Sequence, residues 1–189
     1  MGAPTNRVAL DPAVDLPSVR VAMGVPRPAS EASLEVGRRW ATPRVSLMID
    51  LAARAGLRCV EIARVRSSDV ERDLVGWSLR VEGKGGRNRL IPLPDDLARR
   101  VRGFADDWCF SGDDNGHLSA PYVSKLISRT LPEGVTAHML RHRYATRAYS
   151  VERDLLAVQR LLGHASVATT QVYTRAPDDA VRRAALAAA

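Results

Sequence analysis

His138 and Arg141 stand three residues apart in Thr136-Ala137-His138-Met139-Leu140-Arg141-His142. On a helix that spacing puts a titratable ring and a guanidinium on one face. Thr136 is of the type that caps a helix start, where backbone N–H groups favour an anion. A proton carrier beside a planar cation suits work on a phosphate. Read alone, the segment fits a solvated basic helix equally well. Leu140, Tyr144 and Ala145 can face the core from its other side.

Other candidates flank this segment. Leu161-Leu162-Gly163-His164-Ala165-Ser166 ends one helix at Gly163 and can cap the next with Ser166, so His164 is presented on a tight turn. Tyr173 follows nine residues after His164, near the end of that next helix. A lone tyrosine also fits core packing. Upstream, Gly56-Leu57-Arg58-Cys59-Val60-Glu61 places an arginine after a helix stop, with a carboxylate three residues on. That pair also fits a surface ion pair. Lys84 sits in Gly83-Lys84-Gly85-Gly86, a turn that leaves its ammonium free to reach a ligand or to sit in solvent at a hairpin tip.

The elements that must position these residues can be read from periodicity. Residues 1–28 carry five of the eleven prolines and no helical or strand period, so an extended linker or arm is expected. The domain proper is expected over 29–189, opening near Ser30 as a helix cap. Val45, Met48, Leu51, Ala52 and Ala55 predict a helix from Pro43 to Ala55, stopped by Gly56. A short helix carries Arg58, Glu61 and Ile62. Residues 77–81 alternate as a strand, and 89–92 return. Further helices are expected near 95–106, 120–130, 137–149, 154–162, 167–174 and 178–187. The fold class is mainly α with one small antiparallel sheet.

Composition narrows the partners. The formal net charge is +7, the mark of a polyanion binder. Of the 28 basic residues only Lys84 and Lys125 are lysine, a bias that fits a G+C-rich genome and also supplies bidentate phosphate ligands. Cys59 and Cys109 form neither a CxxC pair nor a disulfide framework, and no cysteine or histidine cluster has zinc spacing. No stretch approaches the roughly 18 apolar residues of a membrane span. Met1–Arg7 lacks a signal-peptide layout, and Asn6 breaks a myristoylation motif. A cytoplasmic protein with no cofactor is expected.

Each motif alone is weak, but their order is not. With Arg58, Lys84, His138, Arg141, His164 and Tyr173 in that sequence, the chain resembles the tyrosine recombinases, the phage integrase family. HMLRHRYAT and LLGHASVATTQVYT carry the resemblance most strongly, and it covers about residues 28–176. The resemblance implies the catalytic-domain fold of that family, and with the arginine bias it fits an integrase of a phage with a G+C-rich host. It also implies site-specific recombination of double-stranded DNA at attachment-type sites. Tyr173 would attack a phosphodiester, forming a 3′-phosphotyrosyl link and releasing a 5′-hydroxyl. Arg58 and Arg141 would clamp the non-bridging oxygens in place of a metal, and Lys84 would protonate the leaving oxygen. His138 would take the tyrosine proton or steady the phosphate, and His164 would donate to it. Glu61 would orient Arg58, and His142 would be structural. The bond energy is kept in the covalent intermediate, so no ATP is needed.

Family members assemble as tetramers on DNA and carry an N-terminal core-binding domain. Here that domain is expected to be absent, the chain to be a fragment and the isolated domain to be monomeric. Ser150–Asp154 stands where relatives often carry glycine, so an altered turn is expected. The tail at 180–189 could pack in cis, swap to a neighbouring protomer, or act as a degradation signal. A type IB topoisomerase and a DNA-binding regulator without catalysis are the rival readings.

Overall fold

In the computed structural model, the described residues are 27–72, 74–83, 88–105 and 107–163. Lys84, His164, Tyr173, nearly all of the expected arm and the two helices expected after residue 166 lie outside them.

Helix α1 (Glu31–Trp40) starts where Ser30 accepts from Ser33 N at 3.0 Å, the expected cap. Helix α2 (Pro43–Arg54) is capped by Thr42 and opens on proline. From Val45 to Ala53 all but Ser46 are buried, as befits a helix surrounded by others. It packs on α1, on α4 (Asp95–Arg102), on α5 (Ala120–Thr130) and on α6 (Ala137–Glu152). The one-turn α3 (Cys59–Ala63) follows Gly56 and packs on α5.

Strands β1 (Val70–Arg72), β2 (Trp77–Glu82) and β3 (Asn88–Leu93) form one antiparallel sheet in that order. Leu79 pairs with Ile91 and Val81 with Arg89, so the buried side of the sheet runs through both pairs. Neither β1 nor the four-residue β4 (Ser111–Asp114) was expected. Both are too short and too polar to show a period. Helix α4 ends at Arg102, earlier than expected, with Gly103 as its cap.

Helix α6 runs to Glu152, past the expected end, and stops at Arg153, a non-glycine residue at φ 53°. Arg153 there takes the left-handed conformation that glycine favours. Asp154 then caps α7 (Leu155–Leu162) by accepting from Leu156 N at 2.8 Å and Ala157 N at 3.0 Å. The expected two-sided α6 needs correction, because Leu140, Arg141, His142 and Arg143 are all buried in succession. A solvated basic helix is excluded. No helix among the described residues is long and apolar enough to cross a membrane.

Candidate active site

Glu61 is the centre of the site. Its side chain is only 4% exposed, so the Arg58–Glu61 pair is not the surface ion pair that its spacing also allowed. Arg58 N donates to Oε2 at 2.8 Å and Arg58 Nη1 to Oε1 at 2.9 Å, which fixes the first turn of α3. Arg89 grips both oxygens, Nη1 to Oε1 at 3.0 Å and Nη2 to Oε2 at 2.9 Å. Arg141 Nη1 lies 3.6 Å from Oε2. Burial pushes the Glu61 carboxyl up, but the bonds from Arg89 and Arg58 N and the charges of Arg89 and Arg141 outweigh it, and the net shift is downward. Three guanidinium groups on one carboxylate leave a surplus of positive charge.

The same arginines converge on the last turn of α7, whose terminal carbonyls lack helical partners. Arg89 Nε donates to Leu161 O at 3.0 Å. Arg141 Nη2 and Arg58 Nη1 both donate to Leu162 O, at 2.7 and 3.4 Å. Arg58 and Arg141 thus meet on a single oxygen. Their exposure differs sharply, since the Arg58 side chain is 40% exposed and that of Arg141 only 2%.

Two glycines make this convergence possible. Gly56 (φ 66°) offers its carbonyl to Arg141 Nη1, and a Cβ there would lie 2.4 Å from the Tyr144 ring. Gly163 (φ 62°) caps α7, and a Cβ there would lie 2.9 Å from Arg89 Nη1. Burial raises the Tyr144 pKa although Arg89 and Arg141 oppose it, so this tyrosine is a packing residue kept neutral. It joins Ala145, Val158 and Leu162 in a small cluster between α6 and α7.

His138 stands exposed on the first turn of α6, and Thr136 caps that turn as expected. Its Nε2 is 2.7 Å from His142 Nε2, with the rings at 84°. One of the two nitrogens must donate and the other accept, so the facing edges share one proton. Burial, then the charges of Arg141 and Arg58, hold the His138 pKa below its ordinary value. His142 is buried and orients His138.

Of the eight expected residues, the structure brings together Arg58, Glu61, His138, Arg141 and His142. Lys84, His164 and Tyr173 lie outside the described residues, although β3 begins four residues after Lys84 and Gly163 immediately precedes His164. Sequence reasoning missed Arg89. Its signal is parity: Arg89, Ile91 and Leu93 alternate on one side of β3, which puts a charge on the core face.

Comparison with known proteins decides the family. The model of the phage integrase family matches residues 38–179. The chain belongs to that family. It is 32% identical over 160 residues to the tyrosine recombinase XerC of Nitrobacter winogradskyi, covering 77% of this chain and 50% of that protein. To XerC of a Methylobacterium species it is 36% identical over 152 residues, covering 72% and 47%. Among solved structures, the integrase of mycobacterium phage Brujita superposes with a TM-score of 0.68 at 31% identity, covering 84% of this chain and 56% of that one. The XerH site-specific recombinase bound to its palindromic difH substrate, in a post-cleavage complex, superposes with a TM-score of 0.67 at 25% identity, covering 85% and 53%. This integrase-family chain therefore spans about half the length of the curated relatives it matches. Its fold is that of the catalytic part of a tyrosine recombinase.

Proposed function

We propose that this chain cuts and rejoins double-stranded DNA by transferring a phosphodiester to Tyr173. The observation that carries the reading is the meeting of Arg58 and Arg141 on one oxygen, with Glu61 behind them and His138 beside them. In the reaction, Tyr173 Oη bonds to phosphorus and the P–O5′ bond breaks. This leaves a 3′-phosphotyrosyl link and a 5′-hydroxyl. His138, neutral at neutral pH, takes the tyrosine proton, and Lys84 supplies one to O5′. Assistance is needed because a free tyrosine titrates near pH ~10. Arg58 and Arg141 hold the non-bridging oxygens as charge builds on them, and His164 adds a donor. A second 5′-hydroxyl reverses the step on a new strand, so neither metal nor ATP is consumed. The chain acts in the cytoplasm as a homo-oligomer on attachment-type sites.

The test uses the full chain with a pool of nicked duplexes whose flanks are randomised. The expected product is an adduct stable in detergent, mapping to Tyr173 by mass spectrometry and formed equally in EDTA. Tyr173→Phe should form none while binding DNA about as well, with the logarithmic salt slope near −0.9 per phosphate contacted. An adduct in the Phe variant, or loss of wild-type cleavage on chelation, would overturn the mechanism. Strand exchange between two duplexes separates a recombinase from a topoisomerase.

A further inference from the structure

We infer that Arg89 is a positioning residue for cleavage: it locks Glu61 to the last turn of α7, and so sets Arg58 and Arg141 for the phosphate. The inference rests on the phosphodiester reading above. Three observations carry it. First, Arg89 projects from the core side of β3 and is only 12% exposed, so it is itself poorly placed to grip DNA. Second, one guanidinium does two jobs. Its Nη1 and Nη2 hold both oxygens of Glu61, while its Nε holds Leu161 O. Third, the chain makes room for it, because any Cβ at Gly163 would meet its Nη1, Cδ and Cζ within 3.1 Å. One side chain thereby links β3, which begins four residues after Lys84, with the residue before His164.

The consequence follows from what is left when Arg89 is removed. Glu61 would stay buried with its bidentate partner gone, a costly state for a carboxylate. Leu161 O would lose its donor, and the end of α7 would no longer be fixed relative to α3. Arg58 and Arg141, which share Leu162 O, would lose their common geometry. A lysine could replace the charge but not the fork, so it could keep Glu61 or Leu161 O but not both.

The experiment compares wild type, Arg89→Lys and Arg89→Met as full chains whose folding is checked by circular dichroism. Single-turnover adduct formation is measured on a nicked duplex and on the same duplex with a methylphosphonate at the scissile position. Arg89→Met should slow cleavage of the phosphodiester about 100-fold with DNA affinity changed less than about 3-fold. On the methylphosphonate the loss should shrink to about 10-fold or less, because a neutral centre builds less charge for the arginines to meet. Arg89→Lys should recover only part of the rate. Equal losses on both substrates, or a full rate in either variant, would overturn the inference.

A second readout does not depend on activity. In side-chain NMR spectra the buried Arg141 Nη protons should exchange slowly in wild type and fast in Arg89→Met. Unchanged protection overturns the positioning role even if no adduct forms. Loss of protection in a chain that never forms an adduct supports the positioning role and removes the proposed chemistry.

Discussion

Asp50 on α2 accepts from Arg38 Nε at 2.8 Å and from Arg100, much as Glu61 accepts from Arg58 and Arg89. Both carboxylates are nearly inaccessible, at 5% and 4%. The arrangements around them differ. Arg38 and Arg100 are each 35% exposed, come from α1 and α4, and end on side chains of α2, namely Asp50 and Ser46. The cluster fastens two helices to a third. Around Glu61 the arginines grade from 40% to 12% to 2% exposure and go on to backbone carbonyls of a helix end. There the ion pairs aim cations that are not fully neutralised. A buried carboxylate with arginines is therefore not in itself a site; what sets the Glu61 cluster apart is that its arginines go on to meet at the end of a helix.

Matched substitutions test that difference. Glu61→Gln should lower adduct formation by about 100-fold or more, because the amide cannot accept from both forks and takes away the negative charge beside Arg141. Asp50→Asn should leave the rate within about 3-fold of wild type while lowering the melting temperature, by a destabilisation of about 2 kcal/mol. Comparable losses of cleavage in the two variants would erase the distinction. A smaller contrast comes from glycines. Gly163→Ala should slow cleavage about 10-fold, since it strains a left-handed turn and pushes on Arg89. Gly134→Ala shares the positive φ (77°) but meets nothing within 4 Å, so it should cost only about 1 kcal/mol of stability with cleavage intact. Equal rates for the two glycine variants would show that the Gly163–Arg89 contact is idle.

The sequence made much of this legible, and the gaps have physical causes. Ser30 and Thr136 announced their helices because a side-chain cap is a local device, and the structure uses both. Arg58, His138 and Arg141 were found by their order along the chain. Asp50 and Arg89 were not, because their partners lie 12, 50 and 28 residues away, and only the fold brings them together. The burial of Arg141 was also hidden, since a guanidinium in an amphipathic pattern reads as solvated until its carbonyl acceptors are known. Strand β1 is three residues long and had no pattern to read.

The finest test is the titration of His138. Burial disfavours its charged form, and Arg141 and Arg58 add repulsion, so its NMR midpoint should fall below 6.5. The unfolded chain then binds more protons than the folded one between the two midpoints. Stability from this group is full above the unfolded value and is lost as pH falls through that window. If His138 is the base, cleavage should rise with pH through the same midpoint, because only the neutral ring can accept the tyrosine proton. Glu61→Gln removes the negative charge that offsets both arginines, so it should lower the midpoint further. Asp50→Asn removes an equal charge, but one engaged by Arg38 and Arg100, which are not among the charges acting on His138. Its midpoint should match wild type. A shift of equal size in both variants would mean that His138 senses the net charge of the domain, not the arginines beside it, and its placement as the base would lose its electrostatic support.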